Sequence, residues 1–306
     1  MPLKLSPRIP GRGYWKGTEP VLFQTALSSG AADEHQRNQD MKALFSQMNG
    51  AWKGNRPGKT ISATERLSVE GLAECYSDPY SIPVGCAGES MEPVYLELAN
   101  RGRAVFCGEE RTETAAYLRA MVRVASRSFP DMRIICIDAS DGDMEPVREA
   151  CTDYFRTSDN ERAMAVLTDL WNTREKDVLP IEMRPARAFV FVHDVCRLLR
   201  TAEEDTFKPL LRLVNNNNSR SSGTVVIATG TRQALAQDSK EYQLVMKLLL
   251  WKDGVVLSGV PRDYRDDLEF PFDYTSADFG RALTADYGVR CQAESRSAKI
   301  KLLKGE

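Results

Sequence analysis

Histidine is nearly absent from this chain: His35 and His193 are the only two. That argues against a histidine-rich metal centre. The seven cysteines (Cys75, Cys86, Cys107, Cys136, Cys151, Cys196 and Cys291) form no CxxC pair. Their odd number, and the place of several inside apolar runs such as IICID, point to buried thiols in a reducing compartment rather than a disulfide framework or a zinc site. No uninterrupted apolar run approaches the roughly 18 residues of a membrane span, and the opening MPLKLSPRIPGRG lacks the apolar core of a signal peptide. Excess positive charge is missing too. A formal net charge of −2, with no basic stripe carrying interleaved aromatics, speaks against nucleic acid as a partner. The expectation is a cytoplasmic protein, with any membrane attachment made through sequence upstream of Met1.

What the chain does have is the composition of a globular protein with a sizeable core: 42% hydrophobic and 27% charged residues in a length of 306. GRGYWKGTEPVLFQTAL reads as a hairpin turning near Lys16–Gly17. A helix over roughly residues 31–53 follows, with Met41, Leu44, Phe45, Met48 and Trp52 at helical intervals. SIPVG and EPVYLEL are short extended segments. Then apolar strands alternate with helices: RAVFCG (103–108), MRIICIDAS (132–140), RAFVFVHDV (187–195), GTVVIATG (223–230) and DGVVLSGV (253–260). Helices are expected around Tyr117–Val124, Met164–Trp171, Leu198–Leu199 and Leu210–Leu213, and over EYQLVMKLLLW. Five apolar strands separated by helices predict an α/β fold, a parallel sheet covered on both faces.

One string invites a nucleotide. GNRPGKT at 54–60 looks like a phosphate loop, whose glycine-rich backbone amides cradle phosphates while its Lys and hydroxyl reach the β/γ phosphates and Mg²⁺. Counting back from Gly58, however, lands on Lys53 where the first glycine belongs. The string also follows a helix instead of a buried strand, and it reads as a loop.

The right context lies elsewhere. In a parallel sheet, ligands sit at the carboxyl ends of the strands, and RAVFC ends at Gly108 before a helix. From there the motif reads Gly108, Glu109, Glu110, Arg111, Thr112, Glu113, Thr114, Ala115. Glu113 replaces the second glycine, Thr114 the lysine, and Ala115 the Mg²⁺-binding hydroxyl. Like charges about 4 Å apart near a surface cost on the order of 4 kcal/mol, so three carboxylates should repel a phosphate, with Arg111 offsetting only part. The acidic strand end is altered as well. His193 stands where the first carboxylate of an ATPase would be, leaving Asp194, and the pair reads as a cap on the following turn. These are the elements of an ATPase fold without its chemistry.

The landmarks PGRGYWKG…FQTAL, SIPVG…MEPVYLEL…RAVFCG, FVFVHDV, SSGTVVIATGTRQ and VVLSGVPRDY, in this order, resemble the FtsK/SpoIIIE-like modules of the type VII secretion ATPases (EssC/EccC) over nearly the whole chain. The resemblance implies a P-loop NTPase-like fold of FtsK/RecA type with flanking β-hairpins. It also implies the last module of a tandem array: residues 1–28 would be the closing hairpin of a preceding module, and 29–306 a degenerate ATPase domain. A weak internal echo fits this, Gly11, Arg12 and Gln24 near the start against Gly280, Arg281 and Gln292 near the end. Carried over, Gly108–Ala115 match the phosphate loop, His193–Asp194 the acidic pair, and Thr229 the strand-end position facing a γ phosphate. Arg220, in the loop before GTVVIATG, reads as a solvated arginine, with reach toward a neighbouring module's nucleotide as the alternative. The departures imply no catalytic residues, no metal and no cofactor. The implied partners are secreted proteins or their adaptors, the preceding modules, and further copies in a full-length motor. The competing expectations are an active module using ATP and Mg²⁺, and a DNA translocase module.

Overall fold

The computed structural model describes residues 12–16, 20–24, 33–51, 66–88, 90–140, 142–175, 180, 184, 186–215, 222–272, 277–293 and 297–303. GNRPGKT, Trp52 and Arg220 lie outside them. Two compact units divide the chain, Met1–Thr60 and Ile61–Glu306. In the first, β1 (Arg12–Lys16) pairs antiparallel with β2 (Pro20–Gln24), followed by α1 (Glu34–Ala51).

The second unit runs α2 (Val69–Cys75), β3 (Ser81–Ala87), β4 (Pro93–Glu97), β5 (Arg103–Gly108), α3 (Arg111–Ser128), β6 (Arg133–Asp138), β7 (Asp153–Arg156) and α4 (Asn160–Glu175). It continues with β8 (Ala188–His193), α5 (Val195–Leu199), α6 (Lys208–Asn215), β9 (Thr224–Thr231), α7 (Arg232–Asp238) and α8 (Gln243–Leu249). The last elements are β10 (Gly254–Val256), α9 (Pro261–Leu268), β11 (Tyr287–Cys291) and β12 (Ala298–Lys301). One sheet takes all ten of its strands in the order β4-β3-β12-β11-β10-β5-β9-β8-β6-β7. From β10 to β7 every pairing is parallel, and from β10 to β4 every pairing is antiparallel.

Alternation along β5 shows how the sheet is covered. Val105 and Cys107 enter a core with residues of α4, α6, α8 and α9, whereas Ala104 and Phe106 enter a second core with α2, α3 and the β3–β4 hairpin. Both faces are therefore buried, which is why β5 and β8 read as continuous apolar runs. At the amino end of β5 a buried ion pair joins it to the turn before β10: Arg101 Nη1 donates to Asp253 at 2.9 Å. Burial pushes the Asp253 carboxyl up to about 6, against the pull of Arg101.

The five apolar strands of the sequence are all present and parallel, and the α/β fold stands. Several elements differ from expectation. The β3–β4 and β11–β12 hairpins flank the parallel strands by extending the same sheet, β12 pairing with β3 and β11 with β10. A sixth parallel strand, β7, had no apolar run to announce it. DYFR is half-buried at the sheet edge. The helix expected over EYQLVMKLLLW starts at Gln243 and is preceded by α7. In the internal echo, Arg12 opens a strand but Arg281 does not; only the segments ending near Gln24 and Gln292 are strands in both.

Candidate functional site

Parallel strands bring their carboxyl ends to one edge, so Gly108, His193, Thr229–Arg232 and Ser258 belong to a single neighbourhood. The turn from β5 into α3 contains only Glu109 and Glu110, because the helix already begins at Arg111. A phosphate loop wraps its ligand with the residues between strand and helix. Here the motif positions Glu113, Thr114 and Ala115 lie inside the first helical turns. Thr114 and Ala115 are buried, and Thr114 Oγ1 donates to the Arg111 carbonyl at 2.8 Å.

The amides that would cradle phosphate have partners from the chain itself. Glu109 N–H donates to Ser258 Oγ at 2.9 Å, and Glu110 N–H to the Glu113 carboxylate at 3.4 Å. The Ser258 hydroxyl donates to that same carboxylate in a short hydrogen bond. Glu113 thus supplies the negative charge that the α3 amino end favours. Glu109 is held by Arg232 Nε at 2.9 Å, and Arg232 also pairs with Asp267 at 2.6 Å. Gly259, at φ +81°, lets the Glu109 side chain approach; a Cβ there would fall 2.4 Å from its Oε1. Two of the three carboxylates expected to repel a phosphate are therefore held by the fold, Glu109 by Arg232 and Glu113 by Ser258. Arg111 plays another part: its Nε pairs with Asp143 Oδ2 at 3.1 Å.

The acidic strand end is equally self-contained. Asp194, in the left-handed conformation at φ 53°, caps α5 by accepting from Arg197 N–H at 3.2 Å. His193 is fully buried, with Nδ1 2.9 Å from Thr229 Oγ1 and Nε2 3.4 Å from Asp143 Oδ2. A carboxylate can only accept, so Nε2 carries the proton, and a neutral ring then accepts the Thr229 hydroxyl at Nδ1. Thr229, fully buried, also accepts from Asp194 N–H at 3.1 Å. The γ-phosphate position of the resemblance is thus bonded to the histidine.

Asp138, beside His193 in register, is the residue that shapes this corner. It accepts from Ser140 N–H at 3.0 Å, Met144 N–H at 3.1 Å and Tyr154 O–H at 2.7 Å. Burial alone would raise its pKa, but these bonds together hold it below the usual carboxylate range. They fold the turn that carries Asp143 to His193 and Arg111. Among the described residues, no group of three or more His, Cys, Asp or Glu could hold a metal ion. Ser258, Arg232, Asp143 and Asp138 were missed from sequence. Only Asp138, a carboxylate ending an apolar strand, offered a signal.

Beside the loop opens a cleft of ≈ 460 Å³. Leu257, Leu283, Leu302 and Leu303 supply its apolar lining, and Glu113 and Asp286 line it as well.

Burial holds the His193 imidazole below its ordinary value, against the opposing effect of Asp138, Asp143 and Asp194. The unfolded chain therefore takes up this proton first as pH falls below about 6.5. Stability from neutral His193 is complete above that pH and declines below it, until the folded protein protonates as well. Urea midpoints between pH 7.5 and 5 should fall more steeply for the parent than for His193→Asn. The opposite contribution of Asp253 is common to both proteins and cancels. Parallel pH profiles would refute this account.

No protein-family profile matches the sequence, and no curated protein matches it. Solved structures do. The chain is similar to the cytoplasmic domain of EssC, with a TM-score of 0.65 and 15% identity, covering 100% of this chain and 61% of that one. It is similar to EssC ATPases 2 and 3 from Geobacillus thermodenitrificans, with a TM-score of 0.63 and 16% identity over 100% and 57%. It is also similar to Thermomonospora curvata EccC ATPases 2 and 3 in complex with a signal sequence peptide, at 0.59 and 16% over 99% and 54%. The chain thus spans less than two thirds of each of these three structures. At this identity the likeness is one of architecture: the chain has the fold of an EssC/EccC-like ATPase module.

Proposed function

We propose that this chain is a non-hydrolysing module of a type VII secretion motor, acting by docking a segment of an exported protein or its adaptor. The carrying observation is the occupation of the phosphate loop by the chain's own groups: Ser258 and Glu113 on its amides, and Arg232 on Glu109. A triphosphate with Mg²⁺ would need those amides, a lysine at 114 and a hydroxyl at 115. The residues present do not fit it. The module would stand in the cytoplasmic part of a membrane-anchored chain, next to preceding ATPase modules that do turn over ATP.

The cleft beside Glu113 is the docking place this reading favours. Its leucines suit the apolar face of a short helix, and Glu113 and Asp286 suit a basic residue of the same segment. The T. curvata EccC structure includes a signal sequence peptide, which lends the reading support by analogy of fold.

Two measurements test it. A ligand at 100 times its dissociation constant adds roughly 2.7 kcal/mol of stability, so millimolar Mg·ATP should leave Tm unchanged. Titration calorimetry against export substrates encoded beside the gene should give micromolar binding, about −8 kcal/mol, equal with and without Mg·ATP. Leu283→Asp should abolish that binding. Restoring Gly, Lys and Thr at 113–115 should not strengthen it. Binding that requires nucleotide, or a clear Mg·ATP-dependent Tm shift, would return the module to the active ATPases.

A further inference from the structure

Two of the cysteines, Cys75 and Cys151, are half-buried, and the other five are buried. Cys151 Sγ donates to the Val147 carbonyl at 3.2 Å, an ordinary contact for a thiol. Cys75, which closes α2, has a different neighbour: Arg66 Nη1 lies 2.7 Å from its Sγ. A guanidinium can only donate, so the sulfur is the acceptor. Partial exposure together with an Arg or Lys against the sulfur is the setting in which cysteines react.

A second thiol belongs to the same corner. The Tyr95 hydroxyl donates to the Cys75 carbonyl at 3.1 Å, tying the end of α2 to β4, and β4 pairs with β3, the strand that carries Cys86. Leu72 of α2 and Cys86 enter one core. Burial pushes the Cys86 thiol up, with Arg66 and Lys301 opposing and Cys75 adding to it. Burial raises the Tyr95 hydroxyl too, and Cys75, Arg66 and Cys86 all act on it. These four side chains form one cluster at the β4 edge of the sheet, with β3, β12, β11 and β10 between β4 and β5.

We propose that Cys75 is a site of oxidation by hydroperoxides, with Arg66 as its activating neighbour and Cys86 as the thiol that converts the product to a disulfide. The Cys75 sulfur attacks one peroxide oxygen. An S–O bond forms, the O–O bond breaks, and the Cys75 proton ends on the other oxygen, which leaves as water or an alcohol. The Arg66 guanidinium, against the sulfur, stabilises the negative charge that develops on that leaving oxygen. The Cys86 sulfur then attacks the Cys75 sulfenic acid: the S–S bond forms, the S–O bond breaks, and the departing hydroxide takes the Cys86 proton as water. Two thiols lose two electrons in all, and the hydroperoxide gains them. In a reducing compartment such a disulfide is transient, and thiol exchange reverses it. While it lasts, α2 is joined covalently to β3. The proposal does not depend on the docking cleft beside Glu113, which lies among other residues.

Cys151, half-buried but without a cation on its sulfur, is the internal control. The folded, reduced chain is treated with a small excess of hydrogen peroxide, its remaining thiols are blocked, and its peptides are mapped by mass spectrometry without reduction. The main product should be the Cys75–Cys86 disulfide, and dithiothreitol should return both thiols. With dimedone as the trap, Cys86→Ala should accumulate labelled Cys75, formed about tenfold or more faster than labelled Cys151. Arg66→Gln should slow oxidation of Cys75 about tenfold, and Arg66→Lys, which keeps the charge, should restore most of the rate. Far-UV circular dichroism and the Tm of each variant confirm folding; should Cys86→Ala misfold, the wild-type map and the two Arg66 variants carry the test. A disulfide between other cysteines, Cys151 oxidised ahead of Cys75, a Cys75 sulfenic acid that never closes on Cys86, or an unchanged rate in Arg66→Gln overturns the proposal.

Discussion

Asp253→Ala should destabilise the larger unit by about 3–5 kcal/mol, the range for removing one partner of a buried ion pair. For a unit of this size that corresponds to a Tm drop on the order of 10 °C. Asp253 is 2% exposed and accepts two hydrogen bonds from Arg101 Nη1, at 2.9 and 3.2 Å, and one from Ala293 N–H at 3.3 Å. Arg101 and Arg103 both lie over the Trp251 ring, at 5.5 and 5.9 Å, and burial pulls the Arg103 guanidinium down to about 10. Alanine removes the carboxylate that both guanidiniums face while leaving the charges buried. Asp253→Asn keeps an acceptor for Ala293 and should cost less. Asp253→Leu combined with Arg101→Met should recover most of the loss, since a well-packed apolar replacement of a buried pair is often neutral. If the double variant is as unstable as Asp253→Ala, the ion pair is not the source of the cost.

Gly254→Ala should be more damaging than its single methyl suggests. Gly254 pairs with Val105 in the parallel β10–β5 ladder, and a Cβ there would lie 2.0 Å from the Val105 carbonyl oxygen. The obstacle is backbone, which cannot turn aside as a side chain can. Overpacking costs 1–3 kcal/mol where neighbours yield; here the expected cost is about 3 kcal/mol or more, because β10 must part from the central strand. The same displacement would carry Ser258, just beyond β10, away from Glu109 and Glu113. Hydrogen exchange should therefore show Glu109 and Glu110 amides losing protection in this variant. A near-neutral urea midpoint would mean that the strands can separate without consequence.

The parts of the fold legible in sequence were those with a strong periodic or continuous signal. RAVFCG, RIICID, AFVFVH and TVVIATGT are buried on both faces, so their apolar runs announced a parallel sheet. DYFR at the edge and RQALAQD in α7 carry no such pattern. The joining of β3 to β12 depends on pairing between distant segments, which no local window records. At the strand ends, sequence showed that Gly108–Ala115 departs from the phosphate-loop pattern at 113, 114 and 115. It could not reveal that Ser258 and Arg232 hold the loop's glutamates, because those partners come from the turn after β10 and from α7. Nor did the charge count predict the outcome for Glu109 and Glu113: both are held by specific donors that had no visible relation to the loop.

The order of strands in the sheet also fixes an order in time. As the chain leaves the ribosome, the β3–β4 hairpin is among the first pieces of the larger unit to emerge. Its link to the rest of the sheet is β12, among the last, through Ala87–Ile300 and Cys86–Lys301. The central strand β5 likewise waits for β9 and β10 before it has either neighbour. Such distant pairings make folding slow, and the waiting strands expose apolar edges that invite association with other nascent chains. The unit is thus closed by its tail, and a nascent chain halted before Ala298 should remain protease-sensitive in β3 even with the parallel half of the sheet assembled.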